Sequence, residues 1–232
     1  MKNSKEYSKK VNKLFRLLKR QYSRPEKVKY DEPVDALVYG IVSEKTTLKE
    51  TKSAIRAFGD YFVDSNDLRT SSIEEIVENI GEDTARTRET AEVLTSVLRS
   101  IFIEYNTVSL KPLHEMGKRS AKKILEKLAS ISPFAINYCI LTSIGAHTIP
   151  LTRRMIEYLR EKELVHPEAD NTDIEGFLTR QIASRDGYAF YTLLRRASEH
   201  SRPKAGTKTE KKTKTKARTG RKKKTKSKSS KK

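Results

Sequence analysis

The stretch from Lys118 to Tyr158 constrains this chain more than any other. Ala121, Ile124, Leu125 and Leu128 recur at helical spacing after Lys118, which predicts an amphipathic helix over 118–128. Ser132 and Pro133 then read as a new helix start, serine as N-cap and proline at the first helical position. Phe134, Ile136, Cys139, Ile140 and Ile144 carry that second helix to Gly145, which ends it. Two helices joined by so short a break form a hairpin whose tip offers backbone N–H groups to a phosphate.

Helical spacing also rules the rest. Asp31 to Val42 reads as a helix with Pro33 at its start and Val34, Leu37, Val38 and Ile41 on one face. Thr47 or a neighbour caps the next helix, which runs through Ile55 and Phe58 to Phe62. Ser72 and Glu75 form a capping box before Ile73, Ile76 and Ile80, and Gly81 closes that helix. From Thr84 to Tyr105, Ala91, Leu94, Val97, Leu98, Ile101 and Phe102 recur at three and four, predicting the central buried helix. Asn106 to Leu113 is expected as a loop, Leu151 to Leu164 as a helix, and Thr172 to Ser198 as a last helix broken near Asp186 and Gly187. No stretch alternates with period two, so the expected class is all-α.

Charge divides the chain into three parts. Of 49 Lys and Arg and 30 Asp and Glu, residues 1–29 hold eleven basic and two acidic, net +9. Residues 201–232 hold sixteen basic and one acidic, net +15, which leaves 30–200 at 22 basic against 27 acidic, net −5. The expected organisation is a basic amphipathic N-terminal helix over 1–29, a helical domain over 30–199 and a Lys-rich tail over 200–232. Val11, Leu14, Phe15, Leu17 and Leu18 make the apolar side of the first helix; such a helix packs on the domain, lies along DNA, or lies on a membrane surface. From His200 onward no aliphatic side chain exceeds alanine apart from the ring of Pro203. A segment of that composition buries too little apolar surface to offset its ordering entropy, so it is expected to be disordered. Its cations, among them Lys222, Lys223 and Lys224, suit a polyphosphate without base readout. The expected partner is DNA, with RNA chemically equivalent toward the tail.

Other classes are disfavoured. No run of eighteen apolar residues exists, so no membrane span or membrane partner is expected, and no apolar leader block stands at the N-terminus. The expected location is cytoplasmic and nucleoid-associated. Cys139 is the one cysteine and reads as a buried core thiol; alone it cannot supply the four thiolates of an iron–sulfur cluster. His114, His147, His166 and His200 show no metal-ligand spacing. Neither a metal, a cofactor nor a small-molecule substrate is expected, and oligomeric state stays open.

The run Leu128, Ala129, Ser130, Ile131, Ser132, Pro133, Phe134, Ala135, Ile136, Asn137 resembles the helix-hairpin-helix of endonuclease III-like DNA glycosylases, the HhH-GPD superfamily, which reads L-P-G-V-G-R-K-T-A-N. The match runs ungapped through Gly145 and Thr148 to Leu151 and Thr152, where the family has V-D, and extends more weakly from Tyr30 to Glu199. The resemblance implies an endonuclease III-like helical domain with a hairpin that grips the DNA backbone. The family's nucleophilic lysine falls on Phe134 and its assisting aspartate on Thr152. A lyase needs an amine, and a monofunctional glycosylase needs a carboxylate; neither position supplies one, so no catalytic residue is assigned.

The candidate DNA-binding residues follow. Lys118, Arg119, Lys122, Lys123 and Lys127 stack like charges at i,i+4, unfavourable on a free helix and purposeful on a phosphate-facing one. Ser130 and Ser132 replace the family's turn glycines, adding hydroxyls and losing backbone freedom. Arg153 and Arg154 are assigned to phosphate or solvent. By resemblance Lys45 holds the position that enters the gap left by an extruded base, its alternative being a solvated loop lysine. The leading reading is non-catalytic binding of duplex, bent or damaged DNA; the rivals are a base-excision glycosylase with displaced catalytic groups and a histone-like nucleoid packer.

Overall fold

The second helix of the hairpin supplies both apolar cores of the protein. In the computed structural model, which describes residues 4–201, eleven α-helices follow one another with no strand among the described residues. They are α1 (Ser4–Gln21), α2 (Pro33–Lys45), α3 (Leu48–Tyr61), α4 (Ser65–Thr70), α5 (Ile73–Ile80), α6 (Ala85–Tyr105), α7 (Lys118–Leu125), α8 (Pro133–Cys139), α9 (Arg153–Glu161), α10 (Asn171–Gln181) and α11 (Gly187–His200). One face of α8, carrying Ala135, Ile136 and Cys139, closes a core built from α2 to α7. Its other face, carrying Phe134 and Tyr138, enters a second core with α1, α9, α10 and α11.

Local chemistry sets the boundaries. Thr47 with Glu50 and Ser72 with Glu75 form capping boxes at the starts of α3 and α5, each satisfying two orphan N–H groups. The backbone N–H of Thr47 and of Ser72 holds its partner carboxylate below the ordinary range. Ser132 caps α8 by accepting from the Ala135 N–H at 3.1 Å, with Pro133 following. A π-turn over Ile140–Ile144 extends α8 to Gly145, whose φ of 71° ends it.

Three features depart from the periodicity. The six-residue α4 carries one buried apolar side chain, Leu68, too little for a pattern. A 3₁₀ turn, Lys111–His114, forms within the expected loop around Pro112. The last helix breaks over a longer segment than expected, with residues 182–186 outside both α10 and α11.

The helix α1 lays Val11, Phe15 and Leu18 into the second core, and the Phe15 ring meets Phe190 of α11 edge to face at 5.2 Å. Ser8 donates to Gln181 of α10 at 2.5 Å, and Lys19 pairs with Asp186 at 3.1 Å. Cys139 is fully buried, donates to the Pro33 carbonyl at 3.5 Å, and has its thiol pushed up to about 12 by burial first and Glu32 second. The segment 202–232, with the expected disordered tail, lies outside the described residues.

The helices α2 and α8 touch backbone to backbone. A Cβ on Gly40 would stand 3.1 Å from the Ala135 Cα and 3.4 Å from its carbonyl oxygen, whereas one on Gly59 of α3 would meet nothing within 4 Å. The Gly40→Ala change should therefore destabilise by about 1–2 kcal/mol, the overpacking outweighing better helix propensity. Gly59→Ala should stabilise by about 0.5 kcal/mol. Thermal unfolding of both variants checks the contrast, and equal shifts of the same sign would rule out the close approach.

Candidate nucleic-acid interface

The hairpin turn takes up the geometry that the family gives to glycine. Ser130 has φ of 60°, a left-handed conformation that costs a non-glycine residue on the order of 1 kcal/mol or more. The turn rests on α6: Ser96 donates to the Ser130 hydroxyl at 3.3 Å, and the Ala129 N–H donates to the Ser100 hydroxyl at 3.4 Å. Among the described residues the N–H groups of Ser130 and Ser132 have no acceptor, while Ile131 closes the turn over Ala129 and Ser130. Two free donors at and beside an exposed αL residue are the kind of backbone group that receives an anion.

The five basic residues of this hairpin divide in two. Lys118 donates to the Gly145 carbonyl at 3.1 Å and so ties α7 to the end of the π-turn. Lys122 lies 3.7 Å from Glu126. Arg119, Lys123 and Lys127 have no ion-pair partner among the described residues and are exposed. They stand four residues apart in one row leading to the turn.

The remaining expected residues lie elsewhere or are engaged. Lys45 is the last residue of α2, not part of a loop, and is ion-paired with Glu89 of α6; one more helical turn than expected draws it onto α6. Arg153 is exposed and bonded to Glu157 at 2.8 Å. Arg154 is exposed but engaged along the backbone. Its guanidinium donates to the carbonyls of Ser198, Glu199 and Ser201 at 2.8, 3.1 and 3.1 Å, satisfying the orphan acceptors where α11 ends. Lys222, Lys223 and Lys224 lie outside the described residues.

The two positions corresponding to family catalysts are both interior. Thr152 is buried and caps α9 by accepting from the Met155 N–H at 3.3 Å. Phe134 is 3 % exposed, its ring 6.4 Å from Tyr138 and 6.3 Å from Tyr191. Over this aromatic cluster lies Arg195, whose guanidinium carbon is 5.9 Å from the Phe134 ring centre.

Arg195 is the one arginine among the fully buried side chains, and sequence reasoning missed it. It donates to the carbonyls of Ser43 and Thr46 at the end of α2, to the Tyr191 hydroxyl at 3.1 Å and to Glu199 at 3.0 Å. Glu199 in turn accepts from the Leu48 N–H, the first of α3, at 3.1 and 3.2 Å. Burial opposes the charge on Arg195, but Tyr191 and Glu199 outweigh it, so its pKa lies above the ordinary value. A cation thus serves the carbonyl end of α2 and an anion the N–H end of α3, each matched to the local dipole. The available signal was the spacing of Tyr191, Arg195 and Glu199 at four residues, which reads equally well as a solvated face.

Two further features flank the site. A cavity of about 620 Å³ between α2 and α3 is lined by Tyr30, Asp35, Tyr39, Phe58 and Asp64. Asp35 beside it is held above the ordinary carboxylate range by burial and then by Glu32. On the hairpin side, Glu175 of α10 accepts from the Asn137 amide at 2.5 Å. Among the described residues no three His, Cys, Asp or Glu side chains are placed to hold a metal ion. No helix there is long and apolar enough to cross a membrane.

No protein-family model matches the chain, and no curated protein does. Solved structures do. An endonuclease III trapped as a covalent intermediate with DNA superimposes with a TM-score of 0.63 at 12% identity, over 81% of this chain and 84% of that one. The Clostridium acetobutylicum 8-oxoguanine glycosylase/lyase in complex with double-stranded DNA gives 0.63 at 14% identity, over 85% and 71%. A thermostable thymine-DNA glycosylase gives 0.60 at 13% identity, over 87% and 90%. The fold is the endonuclease III-like helical fold.

Glu175 carries a pH signature. Burial pushes its carboxyl up from 4.5 to about 6, with Asn137 and Lys122 opposing. Because the folded-state value is the higher one, ionisation penalises the folded chain. The penalty is absent below pH 4.5, grows as pH rises to 6, and reaches about 2 kcal/mol above it. Glu175→Gln should match the parent in stability near pH 4 and exceed it by about 1–2 kcal/mol at pH 7.5. Denaturant unfolding across that range decides it; a gap independent of pH would place the carboxyl in water.

Proposed function

We propose that the chain binds duplex DNA, bent or damaged duplex included, through the hairpin and the basic tail, and performs neither glycosylase nor lyase chemistry. The observation that carries this is Phe134, buried among tyrosines where the family has its nucleophilic lysine, with Arg195 and Glu199 tying α11 to the turn between α2 and α3. An amine at Phe134 would need to lose its charge or find a partner there. Glu199 is the nearest carboxylate in this network, and its oxygens already serve Arg195 and Leu48.

Support for DNA as partner comes from the hairpin and from the neighbours. The free N–H groups of Ser130 and Ser132 and the row Arg119, Lys123, Lys127 meet at one turn. The endonuclease III and the 8-oxoguanine glycosylase/lyase that share the fold were both solved with DNA. Backbone contacts of this kind position a protein on a duplex without reading its bases. The Lys-rich segment 202–232 adds affinity with no base readout. A chain so equipped belongs on the nucleoid, in the cytoplasm.

Duplexes carrying an abasic site, thymine glycol or uracil provide the test, with binding, strand incision and borohydride trapping followed in parallel. The expected result is binding with neither incision nor trapped adduct; an adduct or released base would overturn the non-catalytic reading. Replacing Arg119, Lys123 and Lys127 together by Gln should weaken binding and reduce the salt slope by roughly 2–3. An unchanged slope would remove the hairpin from the interface.

A further inference from the structure

The outer face of α1 is a row of cations. Lys5, Lys9, Lys13, Arg16 and Arg20 are all exposed and fall at spacings of four, four, three and four. At roughly 100° per residue they occupy an arc of about 80° and extend over about 22 Å. Val11, Phe15 and Leu18 point the other way, into the second core.

The charges on this row are not compensated locally. The one acidic residue of α1, Glu6, is taken by Lys10 at 2.9 Å, and Asp186 is taken by Lys19. Among the described residues none of the five row cations has an ion-pair partner. Like charges at i,i+4 disfavour a helix, yet residues 30–200 carry an acidic excess from which partners were available.

The row is separate from the hairpin. It lies on a different helix, and α10 bonds to both elements, its Glu175 to Asn137 of α8 and its Gln181 to Ser8 of α1. A helix with its side chains is about 10 Å across.

We propose that Lys5, Lys9, Lys13, Arg16 and Arg20 form a second phosphate-binding surface, through which one molecule holds a second nucleic-acid duplex. This rests on the DNA-binding reading of the hairpin. An anionic membrane is the less suited partner: a basic amphipathic helix holds to lipid by burying its apolar face, and here that face is already packed on α10 and α11. Leu17, 51 % exposed, is the large apolar side chain left outward. A duplex asks for no apolar insertion, only a line of cations along its phosphates.

The test uses the full chain and its variant with the five residues changed to Gln, plus a second variant with all five changed to Glu. Both should keep the parent helicity and unfolding temperature, since the side chains are exposed. Protein bound to an immobilised duplex of about 15 base pairs, roughly 50 Å long, is offered a second, labelled duplex. The parent should capture it; the Gln variant should capture at least fivefold less and the Glu variant less still, the tail's contribution being common to all three. Capture unchanged in both variants, while the Arg119, Lys123, Lys127 variant still weakens first-duplex binding, would overturn the second surface and leave the hairpin reading intact. A parent that binds no duplex at low salt would overturn that reading itself. Binding to phosphatidylserine vesicles, lost in the Gln variant, with duplex capture unchanged would assign the row to lipid and overturn the proposal.

Discussion

Everything in this fold depends on α8 being apolar on both faces and small where α2 crosses it. Ala135, Ile136 and Cys139 close one core, Phe134 and Tyr138 the other, so one seven-residue helix takes part in both. The backbone approach at Gly40 and Ala135 permits this. With a larger residue on α2 the two helices would stand further apart, and close-packed cores do not absorb such a gap freely. The hairpin turn is therefore held from behind by two cores and from the side by Ser96 and Ser100. That rigidity suits a turn whose free N–H groups must keep a fixed spacing.

The same helix explains why a lysine at residue 134 would be out of place. In this chain the second position of α8 lies inside the aromatic cluster, not at an open cleft. Arg195 stands beside it, and its charge is spent on the turn between α2 and α3. A buried ion pair gives little net stability against an apolar substitute, because desolvation offsets the attraction. What the Arg195 and Glu199 pair does supply is direction: three backbone groups at the ends of two helices, the Ser43 and Thr46 carbonyls and the Leu48 N–H, fit one arrangement of α11 against that turn. In this geometry the turn is anchored by Arg195 and Glu199, and Lys45 beside it is paired with Glu89.

Most of this architecture is legible from residue spacing, and the exceptions have physical reasons. The long α6, the capping boxes and the Ser132–Pro133 start each combine a local signal with a matching apolar period, so their positions follow directly. The short α4 has one core residue and therefore no period. Position 134 could be recognised as lacking an amine, but what took its place could not, since the Arg195 network joins residues about 150 apart. Charge along one helix face is ambiguous for a related reason. Arg119, Lys123 and Lys127 remain free where Lys118 and Lys122 do not, and only the neighbours at Gly145 and Glu126 distinguish them. Arg154 shows the limit most sharply: next to Arg153 in sequence, it caps α11 while its neighbour pairs with Glu157 on its own helix.

The distribution of charge then acquires a structural meaning. Residues 30–200 carry a net negative charge, and much of their acid is consumed internally, at helix N-termini, in capping boxes and in the Arg195 network. Acid spent on N–H groups does not neutralise lysines, so the basic rows on α1 and α7 stay uncompensated although the domain as a whole is acidic. A uniformly basic domain would attract polyanions from every side. Here the rows on α1 and α7 stand uncompensated within a domain whose net charge is negative. On the proposed DNA-binding reading, charge partition of this kind orients a duplex against the protein even where no base is read.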